Sequence, residues 1–134
     1  MNGVFADTSY FVAVLLKNDA AHAQAVAFPV NPRRQVITTH AVLVELGNFL
    51  SRPHDRRVFL GVVDALKNDR RMIVVPTDAA LFELAINLFR SRLDKEWSLT
   101  DCMSMLIMRR FRITDALTTD HHFTQAGFNV LLKV

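Results

Sequence analysis

The chain has 134 residues, of which 51% are hydrophobic and 22% charged, with a formal net charge of +3. These proportions are typical of a globular domain and exclude a disordered or coiled-coil chain. No run approaches the ~20 apolar residues of a membrane span. The N-terminus lacks the cationic start and apolar run of a signal peptide. Because the only cysteine is Cys102, there is no internal disulfide. We therefore expect one cytoplasmic domain over residues 1–134.

Short β-branched runs alternate along the chain with longer helical patterns. The first half is predicted to contain strand Val4–Ala6, a helix from about Ser9 capped by Thr8, helix Asp19–Phe28, strand Gln35–Thr38, helix His40–Ser51 and helix Pro53–Asn68. The second half is predicted to contain strand Met72–Val75, helices Thr77–Leu93 and Ser98–Arg110, strand Ala116–Thr118, helix His122–Ala126 and strand Asn129–Val134. Strands separated by helices indicate βαβ units, and so an α/β fold with a parallel sheet covered on both faces.

Four acidic side chains fall where a predicted strand ends or a predicted helix begins. They are Asp7, Glu45, Asp101 and Asp120. In open α/β sheets, ligands bind beyond the carboxyl ends of the strands, near the point where the strand order reverses. Asp7 ends the first strand and Asp120 follows the fourth, and two helices can deliver Glu45 and Asp101 to the same edge. Because buried carboxylates need a partner of opposite charge, this placement predicts a metal site.

Each of these acids also has a purely structural interpretation. Asp101 fits the third helical position of a capping box that begins at Ser98. Glu45 borders an amphipathic helix and could be solvated, while Asp7 and Asp120 could each start a turn. Their common placement at one sheet edge is what favours a set of ligands.

Other side chains with reactive chemistry give weaker signals. The histidines show neither the i, i+4 spacing of a helical zinc motif nor a second cysteine to complete a site. We expect His122 to pack beside Phe123, and Cys102 to be a small buried side chain, because the sequence places no base next to it. The chain has no GxxxxGK[ST] or GxGxxG loop, so nucleotide binding of those kinds is unsupported.

Four segments carry a family resemblance: V-F-A-D-T-S near the N-terminus, V-E-L-x-N, D-K-E-W-S-L-T-D, and L-T-T-D-H-H-F-T-Q-A-G-F. Together they resemble the PIN-domain ribonucleases over nearly the whole chain, and in particular the short toxins of type II toxin–antitoxin pairs. The segments S-L-T-D and T-D-H-H-F-x-x-A-G-F are the most specific. The first D-T-S would be weak alone.

The resemblance implies a parallel sheet of strand order 3-2-1-4-5 with helices on both faces, and an acidic pocket that holds Mg²⁺ or Mn²⁺. The family's acidic positions fall on Asp7, Glu45, Asp101 and Asp120, with Asp120 acting directly or through water. Asp94 is an auxiliary acid or a helix cap. Hard oxygen ligands without a thiolate favour the same two ions. The implied function is a metal-dependent endoribonuclease toxin that a small antitoxin neutralises.

Three other functions compete with this one. The first is a PIN nuclease of housekeeping RNA processing without an antitoxin. The second is a non-catalytic module that only binds RNA or protein, which retention of all four acids disfavours. A phosphate-handling receiver or phosphatase of similar topology is disfavoured because no acid lies beside Asp7 in its motif.

Two further features concern partners. Arginine pairs along the chain, such as Arg33-Arg34 and Arg109-Arg110, attract polyanions and are expected to form a basic rim that holds RNA. Apolar side chains of the first helices exceed what one core obviously requires: Phe11, Val12, Leu15 and Leu16. They predict either a homodimer or a groove for an antitoxin helix.

Overall fold

Helices cover a five-stranded sheet in the computed structural model, which describes residues 2–28 and 33–134. The strands within these ranges are Gly3–Ala6 (β1), Gln35–Thr39 (β2), Met72–Val75 (β3), Asp115–Leu117 (β4) and Asn129–Val130 (β5). The helices are Thr8–Leu15 (α1), His22–Ala27 (α2), His40–Phe49 (α3), Arg56–Asn68 (α4), Ala79–Ser91 (α5), Leu99–Arg110 (α6) and His121–Gln125 (α7). The predicted α/β class is confirmed.

The sheet has the order β3-β2-β1-β4-β5, and all of its pairings are parallel. The order implied by the family resemblance is therefore confirmed. β1 pairs with β2 on one side and with β4 on the other, so the strand order reverses between β1 and β4. This is the place where open α/β sheets bind ligands, beyond the carboxyl ends of the strands.

The core is built around β1 and α6. Every residue of β1 is buried, and Phe5 packs against Phe123 with ring centroids 6.5 Å apart. α6 buries side chains on nearly all of its faces, among them Met105 and Ile107. Each fully buried side chain of this size stabilises the fold by roughly 1.5–3 kcal/mol. Because α6 is held so firmly, its first turn gives a rigid position to Asp101.

Several helices begin at residues other than those the sequence predicts. α1 starts at Thr8, so its N-cap is Asp7 and the predicted cap by Thr8 is wrong. α2 starts at His22, because the Asp19 carboxylate accepts a hydrogen bond from the Ala21 N–H and forms a turn instead. α4 starts at Arg56, three residues after the proline predicted to begin it. None of the helices in the described ranges is long and apolar enough to cross a membrane.

The apolar side chains of α1 are mostly used by the core. Phe11 is only 6% exposed, and Val12 and Leu15 pack against the same cluster, which leaves Leu16 at the surface. The predicted partner surface on α1 is therefore wrong for Phe11. Large apolar side chains are exposed on other helices instead: Val44 and Phe49 on α3, Leu60 on α4, and Phe82 and Phe89 on α5.

Candidate metal centre at the edge of the sheet

An open cavity of about 540 Å³ lies where β1 and β4 end. The acids that line it are Asp7 after β1, Glu45 on α3, Asp101 in the first turn of α6 and Asp120 before α7, joined by Asp19 and Glu96, which sequence reasoning missed. Among the described residues, no lysine or arginine lines this cavity. The structure thus brings all four predicted acids together in a strongly negative environment.

Asp7 is the most deeply buried acid of the cavity, with 5% of its surface exposed. Its Oδ2 accepts hydrogen bonds from Thr118 Oγ1 at 2.8 Å and from Ser9 Oγ at 3.2 Å. Burial raises the pKa of Asp7 to about 6, and the charges of Asp101 and Glu45 add to the rise, against the opposing effect of the Thr118 hydroxyl. The folded chain therefore disfavours the negative charge on Asp7.

Two hydroxyl groups join the ends of β1 and β4. Thr118 Oγ1, which donates to Asp7, accepts a bond from the Asp120 N–H at 3.0 Å. Ser9 Oγ lies 2.9 Å from Thr118 Oγ1 and accepts from the Thr119 N–H at 3.1 Å. The signal for this network was present in the D-T-S and L-T-T-D motifs, but only the order of the strands shows that they meet.

Asp101 caps α6 and also lines the cavity. The capping box is confirmed: Ser98 Oγ accepts from the Asp101 N–H at 2.9 Å, and Asp101 Oδ2 accepts from the Ser98 N–H at 3.0 Å. Burial raises the pKa of Asp101, and the charge of Asp120 adds to this, while the Ser98 N–H and His122 oppose it. The same carboxylate lines the cavity.

His122 belongs to the site, so the prediction that it simply packs beside Phe123 is wrong. Its Nδ1 lies 3.2 Å from Asp101 Oδ2 and 3.2 Å from Asp120 Oδ2. Ligand atoms of Asp120, His121 and His122 all lie within 4.8 Å of one another. The spacing of helical zinc motifs does not identify this histidine, because it has no histidine partner at i, i+4. The signal was its position two residues after a candidate acid.

The remaining acids differ in exposure. Glu45 is exposed on the surface of α3 and reaches the cavity from its rim, whereas Asp120 is half-buried. Asp94 does not line the cavity. It pairs with Arg92 at 3.1 Å and lies 3.9 Å from Lys95 Nζ, and the bond from Arg92 lowers its pKa. The expected auxiliary role of Asp94 is therefore unsupported by its position.

Several of the paired arginines lie away from the cavity. Arg109 and Arg110 lie in the last turn of α6, roughly 12 Å along the helix axis from Asp101. Arg34 and Arg71 precede β2 and β3, at the opposite edge of the sheet, and are paired with Asp115 and Asp69. The cations nearest in sequence to a cavity residue are Lys95, beside Glu96, and Lys17, two residues before Asp19.

Comparison with known proteins identifies the family. The model of the PIN domain family matches residues 4–129. The chain belongs to the PIN domain family. It is 29% identical over 125 residues to the 23S rRNA-specific endonuclease VapC20 of Mycobacterium tuberculosis, an alignment that covers 93% of this chain and 95% of that protein.

Solved structures place this PIN domain among similar folds. The crystal structure of Mycobacterium tuberculosis VapC20, described as a Sarcin-Ricin loop cleaving toxin, has a TM-score of 0.82 and 28% identity, and the match covers 93% of this chain and 95% of that one. VapBC2 of Rickettsia felis, bound to a DNA fragment from its promoter, has a TM-score of 0.68, 13% identity and 98% coverage of both chains. FitAcB of Neisseria gonorrhoeae has a TM-score of 0.65, 16% identity and 96% coverage of both. At these lower identities, the last two show the fold alone.

The donor atoms of this PIN domain fit a hard divalent cation. The buried carboxylates Asp7 and Asp101 supply oxygen, and no thiol lines the cavity among the described residues. Such donors suit Mg²⁺ and Mn²⁺. Burial and neighbouring negative charges raise the pKa of Asp7. A bound cation would lower this pKa again, because it stabilises the ionised carboxylate.

Proposed function

We propose that this protein is a metal-dependent endoribonuclease that hydrolyses RNA phosphodiester bonds in the cytoplasm, with Mg²⁺ or Mn²⁺ held by Asp7, Glu45, Asp101 and Asp120. The observation that carries the proposal is the cavity, where six carboxylates converge at the reversal point of a PIN-domain sheet. Similarity to VapC20, which is named as an endonuclease of 23S rRNA, supports RNA as the substrate class.

Hydrogen bonds within the chain orient the carboxylates of Asp7 and Asp101. Thr118 and Ser9 fix Oδ2 of Asp7, and the Ser98 N–H fixes Oδ2 of Asp101. A bound Mg²⁺ or Mn²⁺ would activate a water molecule and stabilise negative charge on the phosphoryl oxygens. Asp7 gives up its proton more easily once a cation is near, so we expect metal affinity to rise with pH through about 6.

We infer in addition that the protein is a toxin held inactive by a small antitoxin. The description of VapC20 as a toxin supports this. An apolar groove of about 530 Å³ lies between α3 and α4, where Val44 and Leu60 are each more than half exposed. Because Val44 adjoins Glu45, α3 separates this groove from the acidic cavity. A segment seated in the groove could therefore extend a basic side chain to the carboxylates. We also propose a homodimer, formed through the exposed apolar face of α5.

Mapping of cleaved RNA ends tests the enzymatic proposal. The wild-type protein is incubated with ribosomal RNA and Mn²⁺, and the new 5′ ends are sequenced. We expect a few discrete sites that carry a 5′-phosphate and disappear in EDTA. The double variant Asp7→Asn/Asp101→Asn should show none of them. Full cleavage by this variant, or equal cleavage in EDTA, would refute the proposed site.

A second experiment distinguishes a toxin from a housekeeping nuclease. The protein is induced briefly in cells, with and without the product of the neighbouring gene. A toxin should arrest growth, and the neighbouring product should reverse the arrest and co-purify with it. Cleavage of RNA in vitro without any growth arrest would favour housekeeping processing. Binding of RNA without cleavage would favour a non-catalytic module.

A further inference from the structure

His122 contacts two carboxylates of the cavity at once. Its Nδ1 lies 3.2 Å from Oδ2 of Asp101 and 3.2 Å from Oδ2 of Asp120. Its backbone N–H also donates to Oδ1 of Asp120, at 2.9 Å. This single residue therefore contacts both oxygens of Asp120 and one oxygen of Asp101.

The chemistry of these contacts determines which ring nitrogen carries the hydrogen. An ionised carboxylate only accepts hydrogen bonds, so a nitrogen that lies between two of them has to donate. Nδ1 of His122 therefore carries a hydrogen. The ring is consequently oriented by Asp101 and Asp120.

The geometry gives this N–H a specific effect. Two carboxylate oxygens that share one nitrogen lie close together and repel each other. The bonds that the structure gives to the Asp101 carboxylate, from the Ser98 N–H and from His122, both end on Oδ2. Oδ1 of Asp101 is the oxygen that remains for a ligand in the cavity. Without His122, repulsion from Asp120 would turn the Asp101 carboxylate away from this orientation.

We propose that His122 is a positioning residue of the metal site. Its Nδ1–H donates to Asp101 Oδ2 and also lies 3.2 Å from Asp120 Oδ2, so the ring keeps the two carboxylates apart and leaves Asp101 Oδ1 free for Mg²⁺ or Mn²⁺. This inference rests on the proposed metal-dependent function and extends it to a residue outside the acidic set. Partners of this kind, which orient a ligand without touching the metal, typically change metal affinity by roughly 10–100-fold.

Two amides of different length test the position of the hydrogen-bond donor. His122→Asn places an N–H near the position of Nδ1, whereas His122→Gln places it near the position of Nε2. Mn²⁺ affinity is measured by calorimetry for both variants and for wild type. His121→Asn is the matched control, because the exposed His121 ring lies 3.8 Å from Asp120 Oδ1, beyond hydrogen-bond distance. We expect His122→Asn and His121→Asn to bind within roughly threefold of wild type, and His122→Gln to bind roughly 10–100-fold more weakly.

The outcomes separate this role from the alternatives. Wild-type affinity in His122→Gln would overturn the proposal, as would an equal loss in His122→Asn. His122→Asp tests direct ligation, because a carboxylate there adds repulsion to a positioning site but a donor to a coordinating one. Tighter binding by His122→Asp would therefore also overturn the proposal. A wild-type protein that binds no Mn²⁺ would instead refute the metal site itself. Unfolding midpoints without metal establish that each variant is folded.

Discussion

Two aspartates at opposite ends of the strands lie in opposite electrostatic environments. Asp115 begins β4, where Arg34 lies 2.6 Å away and Asn129 donates a second bond at 2.9 Å. These partners lower the pKa of Asp115. Asp7 ends β1, where burial and other carboxylates raise its pKa to about 6. One aspartate has its counter-cation within the chain, and the other has neighbours of its own sign.

The difference indicates which end of the sheet requires a cation from outside the chain. A chain that could place Arg34 beside Asp115 could equally have neutralised Asp7, yet no lysine or arginine among the described residues reaches the cavity. A structural ion pair is complete without a ligand. Converging carboxylates remain unfavourable until a cation binds.

The largest expected effect separates the two aspartates by activity. Asp7→Asn should lower RNA cleavage by about 10³-fold or more, the scale seen when a member of an interdependent catalytic group is lost. Asp115→Asn should leave the cleavage rate nearly unchanged, because its partner is Arg34 at the far edge. Single-turnover cleavage of a labelled RNA measures both rates. Similar losses in the two variants would remove the basis of the comparison.

The next largest effect is on the free energy of unfolding of the Asp7 and Asp115 variants in the absence of metal. The folded-state pKa of Asp7, about 6, lies above its unfolded value of 3.8, so its contribution is full below about pH 4 and is lost as the pH rises through about 6. The loss amounts to about 3 kcal/mol. Urea unfolding in EDTA should therefore show Asp7→Asn gaining on wild type as the pH rises from 4 to 7. Asp115→Asn should instead be less stable than wild type by a nearly constant amount over this range, because the lowered pKa of Asp115 makes its contribution complete above about pH 4.

Addition of Mn²⁺ at neutral pH should reverse part of this loss in the wild-type protein. Saturation at a hundred times the dissociation constant adds about 2.7 kcal/mol to the free energy of unfolding. The increase should vanish in Asp7→Asn and persist in Asp115→Asn. The measurement is the urea midpoint at several Mn²⁺ concentrations. An equal increase in all three proteins would place the ion elsewhere.

Smaller effects are expected for the two more accessible acids. Asp120 Oδ1 already accepts a hydrogen bond from the His122 N–H and its Oδ2 lies 3.2 Å from His122 Nδ1, whereas Glu45 reaches the cavity from an exposed helix face. We expect Glu45→Gln to weaken Mn²⁺ binding by on the order of tenfold, about 1.4 kcal/mol, and Asp120→Asn to weaken it less. Calorimetric titration decides the order. Unchanged affinity in Glu45→Gln would exclude that residue from the site.

The smallest effect concerns RNA rather than metal. Arg92 lies two residues from Asp94 and stacks over the Trp97 ring at 5.1 Å, in the segment that leads to the cavity. If it contacts a phosphate, Arg92→Ala should reduce the slope of log affinity against log salt by about one unit or slightly less. Arg109→Ala, at the far end of α6, is the matched control. Equal slopes in all three proteins would rule out this contact.

The sequence predicted the parts of this structure that depend on local pattern. Strand boundaries are correct to within a residue for β1, β2, β3 and β4, because these apolar runs are too short for helices and are flanked by polar residues. The capping box at Ser98 and Asp101 was readable for the same reason. Three of the four acids meet in one cavity because each lies at the end of a strand or the start of a helix, whereas Glu45 reaches it from the middle of α3.

The parts that were missed depend on distances between elements. The ring of His122 reaches Asp101 only because α7 lies against the start of α6, which no spacing in the sequence reports. Phe11 was expected at a partner surface and is buried, since the extent of the core decides which apolar helix faces remain outside. Asp94 resembled an auxiliary acid, but Arg92 holds it at the surface.

The hydrogen bond between Thr118 and Asp7 joins residues 111 positions apart in the chain. A chain leaves the ribosome amino-terminus first, so Asp7 emerges long before the strand that carries Thr118 and the acid at Asp120. The cavity can close only after Thr118 and Asp120 have been synthesised. A nascent chain that has not yet reached these residues therefore lacks the assembled site. Such long-range pairing also slows folding after release, which gives any inhibitory partner time to bind first.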